Sequence, residues 1–491
     1  MLNAGHGNEY NESGPEAMRA VLLNPPVSAR QLYGDWNLSA VDTFSAPLGL
    51  LYLAGYARSR GHEVQVIDAP VLKVSPEQAA ERVLSLNPDV VGISALTINI
   101  SCAGLVAEAL KKKGLSVPIV VGGPHVSAVP RETLRRYSAF DFGVRGEGEI
   151  AFAELLERIG SGGPVSDAGG LVWRDQSGEI RINPPGPAIE DLDRLPLPAW
   201  DLLPNFPRAY PNNPLETKRL PAASIITSRG CPHQCTFCDR SVFGSRVRHH
   251  SAAYTLGMIR HLRDRYGVRD LMILDDIFLL DRPKLYAICD AMIRERMDLN
   301  WYCLAHIRFM TEDRLRKARE AGCWIMEVGI ESGCERILRH LKRNMTKVQI
   351  AAAVRSARDA GIRVKGNFIF GLPTETRDSL RETTEFAREI DISFFQQNFL
   401  TVFPGCELSR DAEKYGFVEK DWERLSLWKI SFVPFGLTRA DLLKASKTAY
   451  RRFYLRPKIV LEILRSVSSW RVLASMLRAF RAFVMSLVRK S

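Results

Sequence analysis

Arg229-Gly230-Cys231-Pro232-His233-Gln234-Cys235-Thr236-Phe237-Cys238 carries three cysteines in the spacing C-x3-C-x2-C. It follows directly on a short β-branched run, residues 224–227, so it reads as the loop at the carboxyl end of a strand. Thiolate loops of this kind hold iron–sulfur clusters, and a cubane of four irons ordinarily takes four ligands. Three cysteines leave one iron with an open position, the feature that separates a catalytic metal site from a closed structural one. Read as a zinc site, the run lacks a fourth Cys or His at matching spacing, although His233 lies inside the loop.

Working outward toward the carboxyl end, runs of strand character recur at residues 270–274, 301–304, 325–329, 364–370 and 393–401. Patterns of helical period such as 251–266 and 347–360 lie between them. With 224–227 these make six βα units, too few to close the eight-stranded barrel, so an open, partial (β/α)6 barrel is expected, with its site at the strands' carboxyl ends. Toward the amino end, residues 19–24, 63–68, 89–94, 118–122 and 141–144 alternate with helical stretches such as 48–58 and 103–113. That order gives an α/β, doubly wound parallel sheet whose ligands bind beyond the strands' carboxyl ends. A hairpin, 170–173 and 180–182 around Gln176-Ser177-Gly178, and a proline-rich crossing separate the two series. The expected domains are 18–160, a hairpin and linker at 161–222, the partial barrel at 223–420, and a helical region at 421–491.

The bulk properties fit two globular domains with an appendage: 491 residues, 46% of them hydrophobic and 25% charged. No stretch approaches the roughly 20 apolar residues of a spanning helix. The first residues are polar and lack the basic-then-apolar order of a secretory signal, so a cytoplasmic location is expected. Nine cysteines in such a chain read as metal ligands or buried thiols rather than a disulfide framework. The net charge of +12 is concentrated at one end: between Arg451 and Ser491 stand ten Lys or Arg and one acid, Glu462. A nucleic-acid face would not be gathered so strongly at one terminus, and no nucleic-acid partner is expected. After Pro457, apolar residues recur at helical spacing, through Ile459, Val460, Ile463, Leu464 and Val467 to Leu487 and Val488. Residues 457–491 therefore read either as a basic amphipathic helix on an anionic membrane surface or as a helix that packs on the barrel.

The cysteine run resembles that of the radical S-adenosylmethionine superfamily, in which C-x3-C-x-aromatic-C holds a [4Fe-4S] cluster and the open iron takes the methionine amino and carboxylate groups. The resemblance assigns Cys231, Cys235 and Cys238 to the metal and sets Phe237 against the adenine. Leu274-Asp275-Asp276 ends the second barrel strand, where relatives meet the methionine amine, and a carboxylate there binds an ammonium by charge-assisted hydrogen bonds. Glu331, in Gly329-Ile330-Glu331-Ser332, is placed at the ribose hydroxyls. The segment from Gly366 to Glu375 resembles the adenine-side strand and turn, with Gly371 allowing close backbone approach. Taken singly, Asp275 or Glu331 also reads as a helix cap or a surface carboxylate.

In the front domain, Ser94-Ala95-Leu96 at one strand exit and Gly122-Gly123 at the next resemble the Ser-x-Leu and Gly-Gly signature of cobalamin-binding domains. Ser94, Leu96, Gly122 and Gly123 are thereby expected at the nucleotide tail. The same features also read as tight turns of any doubly wound domain. The usual Asp-x-His-x-x-Gly motif is absent at the first strand's exit, which reads Asn24-Pro25-Pro26-Val27, so no histidine is expected under the cobalt; His125 reads as structural. With 47–54, 61–64 and Arg145-Gly146-Glu147-Gly148-Glu149, the chain resembles the cobalamin-dependent radical S-adenosylmethionine enzymes, specifically the subfamily of C-methylases and the anaerobic magnesium-protoporphyrin monomethyl ester cyclase. The resemblance implies a [4Fe-4S] cluster, S-adenosylmethionine and cobalamin as cofactors, a flavodoxin- or ferredoxin-type electron donor, and a small-molecule or lipid substrate. It implies methyl transfer to an unactivated carbon or to phosphorus, or alternatively radical cyclisation or rearrangement of a tetrapyrrole or natural product. No residue is singled out as an acid or base. A cobalamin-sensing or carrier module is the third reading, against which the open-iron motif speaks.

Overall fold

A computed structural model describes residues 17–27, 45–210 and 216–465. The front domain is a seven-stranded sheet: β1 (Arg19–Asn24), β2 (Glu63–Asp68), β3 (Val90–Ser94), β4 (Ile119–Gly122), β5 (Phe142–Val144), β6 (Leu171–Arg174) and β7 (Ile180–Ile182), in the order β2-β1-β3-β4-β5-β6-β7. The first five are parallel; the inner strands β1, β3 and β4 are buried on both faces, as β-branched runs without alternation require, whereas the edge strand β2 leaves Glu63 and Gln65 exposed. Helices Leu48–Ser59 and Gly148–Ser161 pack together on one face, and Pro76–Leu84 and Ile100–Lys112 on the other. The hairpin expected beside the linker instead extends this sheet, β6 pairing antiparallel with β5 from Phe142–Trp173 to Val144–Leu171. The reason is local: β5 has a free edge, and pairing satisfies backbone groups that would otherwise lie bare.

The second series begins with β8 (Ala222–Ile225) and continues, after a two-residue ladder of β9 (Ser228–Arg229) with β10 (Arg248–His249), through β11 (Asp270–Ile273), β12 (Asn300–Ala305), β13 (Cys323–Glu331), β14 (Arg363–Phe370) and β15 (Phe394–Phe399). Six strands pair in parallel in sequence order, β8-β11-β12-β13-β14-β15, and form the expected open barrel. On β14 burial alternates: Val364, Gly366, Phe368 and Phe370 are buried, whereas Lys365 and Asn367 stand on the opposite face. A hairpin of β16 (Gly416–Val418) and β17 (Phe432–Pro434) follows, and helix Arg439–Tyr454 then packs on the β15 edge. There the Tyr450 and Tyr454 hydroxyls accept from the Gln397 and Phe395 amides, each at 3.1 Å.

The last described helix, Pro457–Arg465, starts where the amphipathic pattern starts. Ile459 is buried, Glu462 pairs with Arg358 at 2.7 Å, and Val460 and Leu461 are exposed. The rest of that pattern, 466–491, lies outside the described residues.

Candidate functional site

The carboxyl ends of the two sheets face each other across one cavity of about 750 Å³. Cys231, Cys235, Cys238, Phe237, Asp276 and Glu331 wall it from the barrel, and Ser94, Leu96, Gly122 and Gly123 from the front sheet. Two residues expected at a cofactor stand off that wall. Asp275 is turned into the protein, accepting from the Thr227 amide (2.6 Å), the Thr227 hydroxyl (2.7 Å) and the Ser228 hydroxyl (2.6 Å), so both its oxygens anchor the strand exit before the cysteines. Lys284 supports the same turn, donating to the Thr227 carbonyl at 2.7 Å. Gly371, at φ +83°, lies against Phe432 and Leu442 rather than the cavity, and its turn is braced by Glu375, which accepts from the Gly371 and Leu372 amides.

Asp276, by contrast, has no hydrogen-bond partner among the described residues, and burial, followed by the neighbouring Asp275 charge, raises its pKa. Its side chain opens on the cavity rather than being packed away, so an ammonium laid against it can donate charge-assisted hydrogen bonds. Across the cavity Arg343 stands between Cys235 Sγ (3.6 Å) and Glu331 (3.5 Å), with its Nε buried and unpaired among the described residues. Burial alone would lower Arg343, but Glu331 and Cys235 more than compensate. Asn367 on β14 donates to Glu327 at 2.6 Å and leaves its Oδ1 buried without a donor. Together these groups offer an acceptor for an ammonium, a cation for a carboxylate, and acceptors for sugar hydroxyls, the polar groups of S-adenosylmethionine.

The thiols fit a cluster. Burial first, then Cys235, Asp276 and Cys231, push Cys238 up to about 12; its exposed surface opens on the cavity while protein masses around it. Cys231 is likewise raised by burial. Such thiols deprotonate when a metal ion supplies the missing positive charge. Among the described residues no three Cys, His, Asp or Glu converge as one metal ion requires; a cubane, in which each thiolate binds a different iron, asks for wider spacing.

On the front side, Gly122 faces open space, whereas Gly123, at φ +99°, lies so close to β3 that a Cβ would stand 2.8 Å from the Ala95 carbonyl oxygen. The pair thus keeps the two strand exits together while leaving room above them, a cradle that fits a nucleotide tail. His125 is fully buried, bonded to Thr97 Oγ1 at 3.1 Å and edge-on to Trp422, and burial holds its pKa down at about 4. It does not reach the cavity wall. His233 and His306 stack at 4.1 Å on the wall between the cysteine loop and β12.

Arg343, Asn367 and the histidine stack did not stand out in the sequence. Asn367 lies within the stretch from Gly366 to Glu375, and its alternation with the buried Gly366 and Phe368 is the signal the sequence offers. Arg343 follows a short helix, Glu335–His340, and stands 108 residues beyond Cys235 in the chain.

The B12 binding domain family matches residues 37–156 and the radical SAM superfamily residues 225–387. An uncharacterized methyltransferase of Pyrococcus horikoshii, PH0819, is 32% identical, over 91% of this chain and 95% of its own length. The anaerobic magnesium-protoporphyrin IX monomethyl ester cyclase of Rubrivivax gelatinosus is 26% identical, over 89% of this chain and 78% of that one. Among solved structures, the cobalamin-dependent S-adenosylmethionine radical enzyme OxsB, with aqua-cobalamin and S-adenosylmethionine bound, superposes with a TM-score of 0.72 at 17% identity, covering 96% of this chain and 72% of that one. The radical S-adenosylmethionine methyltransferase TsrM from Kitasatospora setae, with cobalamin and a [4Fe-4S] cluster, gives 0.65 at 19%, covering 81% and 75%. At these identities the likeness to both structures is one of fold.

Proposed function

We propose, from the premise that this chain belongs to the cobalamin-dependent radical S-adenosylmethionine enzymes, that it methylates an unactivated carbon, or phosphorus, of a small molecule or lipid. The observation that carries the reading is the single cavity walled jointly by the three cysteines and by the strand exits of the front sheet. When bound, the cluster supplies the electron that splits S-adenosylmethionine, and cobalamin relays the methyl group. The net change is one substrate hydrogen replaced by methyl: two molecules of S-adenosylmethionine and two electrons from a flavodoxin- or ferredoxin-type donor give S-adenosylhomocysteine, methionine and deoxyadenosine.

The chain's own residues bind and orient. Cys231, Cys235 and Cys238 hold the metal, Asp276 takes the methionine ammonium, and Arg343 its carboxylate. Glu331 and Asn367 accept from the ribose, and Phe237 covers the adenine. Ser94, Leu96, Gly122 and Gly123 seat the cobalamin tail. The facing sheets exclude water and oxygen from the reacting groups.

Labelled methyl donor supplied to the reduced, cofactor-loaded protein, together with an extract of the cells that make it, tests the reading. A methyl-labelled product with both S-adenosylhomocysteine and deoxyadenosine is expected. Deoxyadenosine without S-adenosylhomocysteine points instead to cyclisation or rearrangement, the reaction type named for the Rubrivivax relative. Absence of deoxyadenosine points to a carrier or sensor.

No helix among the described residues is long and apolar enough to cross a membrane. The exposed Val460 and Leu461 and the basic excess beyond Arg451 support a cytoplasmic protein that touches an anionic membrane face through 457–491. Pelleting with anionic liposomes, compared between the full chain and one ending at Arg456, tests this; equal pelleting refutes it. The cut belongs there because helix Arg439–Tyr454 is part of the barrel wall.

A further inference from the structure

Two arginines stand side by side at the feet of the cysteine loop, Arg229 on β9 and Arg248 on β10, paired in the ladder that opens and closes the loop. Both reach across to the front domain. Arg229 donates to Glu147 at 2.7 Å and to Glu149 at 2.5 Å, and Arg248 also donates to Glu147. The carboxylates come from the turn between β5 and helix Gly148–Ser161, where Glu147 is the residue before the helix and Glu149 lies in its first turn. All four side chains are nearly buried, at 4%, 7%, 11% and 6% exposure for Arg229, Arg248, Glu147 and Glu149. The Arg229 guanidinium also lies between two rings, Tyr52 of the front domain at 5.4 Å and Phe243 of the cysteine loop at 5.3 Å. The Tyr52 hydroxyl donates to the Ile226 carbonyl at 3.1 Å, one strand exit away.

A buried, neutral set of two cations and two anions is a poor source of stability, since well-packed apolar side chains would serve as well. What it provides is register. Planar guanidinium–carboxylate contacts are satisfied in one relative placement of their elements, and a slip leaves a buried charge unpaired. The loop passes this placement on to the metal ligands without slack: Gly230, between Arg229 and Cys231, has φ +93°, and a Cβ there would stand 2.3 Å from the Arg246 carbonyl oxygen. The same residues, Glu147, Glu149 and Arg229, line the cavity between Gly122-Gly123 and Cys231.

We infer that Arg229, Arg248, Glu147 and Glu149 are positioning residues that fix the separation of the cobalamin and cluster sites, on which methyl transfer between them depends. Group transfer is steep in distance, a misplacement of about 1 Å costing about a hundredfold in rate. The inference rests on the reading of the cavity as the joint site of both cofactors, and the test keeps the two apart.

Full-length Glu149→Gln and Arg229→Lys proteins, loaded with cluster and cobalamin, are compared with the parent by paramagnetic resonance in the state where cobalt(II) and the reduced cluster are both paramagnetic. Their mutual broadening reports separation without turnover. Iron and cobalamin contents equal to the parent's, with weakened or more widely distributed spin coupling, are expected, together with retained deoxyadenosine formation and at least a tenfold fall in methyl transfer from S-adenosylmethionine to cobalamin. Arg248→Lys, at the other foot, is read in the same way should Arg229→Lys fail to fold. Full loading with unchanged coupling overturns the inference and leaves the joint site standing. A parent protein that binds both cofactors but shows no coupling at all overturns the joint site itself.

Discussion

Asp275 and Asp276 are neighbours with opposite tasks, and replacing each by alanine separates them. Asp275 is 1% exposed and accepts three hydrogen bonds from Thr227 and Ser228, the residues leading into Arg229 and the cysteine loop. Without its carboxylate three donors are left buried. Each costs about 1–3 kcal/mol if it stays unpaired. The two hydroxyls can turn toward carbonyls, whereas the Thr227 amide cannot, so a net loss of about 3 kcal/mol is expected at this turn. Since about 1.4 kcal/mol is a factor of ten, opening becomes roughly a hundredfold more frequent. Hydrogen exchange of peptides covering 225–230 reads this directly, without assuming that a chain of this size unfolds in one step. Asp275→Ala should accelerate exchange there by about two orders of magnitude and impair cluster loading. Asp276→Ala, whose carboxylate has no partner among the described residues, should leave it within about twofold. Unchanged exchange in Asp275→Ala, or equal acceleration in both variants, refutes the division of labour.

Asp276→Asn should weaken binding of S-adenosylmethionine to the cluster-loaded protein by about ten- to a hundredfold in anaerobic equilibrium dialysis, the worth of a charge-assisted hydrogen bond. Gly123→Ala forces a Cβ against the Ala95 carbonyl oxygen at positive φ and should lower stability by about 1–3 kcal/mol. Gly122→Ala meets open space and should leave melting unchanged, while both variants retain less cobalamin on gel filtration. Burial pushes Glu375 up to about 8, against about 4.5 for an exposed glutamate. Between those values the unfolded chain has released a proton the folded one keeps, so stability falls as pH rises through that window and levels off above it. Glu375→Gln, always neutral, should remove this slope in urea titrations run at about pH 5 and about pH 8.

The front strands were legible because most are short β-branched runs buried on both faces, and the barrel strands because apolar runs such as 364–370 recur between stretches of helical period. The cysteines were legible because their spacing lies within one loop. What escaped was whatever depends on contact between distant segments. Glu147 and Arg229 are 82 residues apart, and no pattern joins them. The β9–β10 ladder has two residues a side, too few for any period. Asp275 and Asp276 are indistinguishable as letters, and only the direction in which the chain leaves β11 decides which one faces the cavity. Arg343 reads as a surface cation on a short helix's far side until the fold brings it beside Cys235.

Iron counting on anaerobically purified protein, after loading with iron and sulfide, bears most directly on the account. About four irons per chain are expected, with a cluster resonance that shifts when S-adenosylmethionine is added, and both should be lost when Cys231, Cys235 and Cys238 are changed to alanine. Clearly fewer irons, or an iron content indifferent to those three changes, would contradict it.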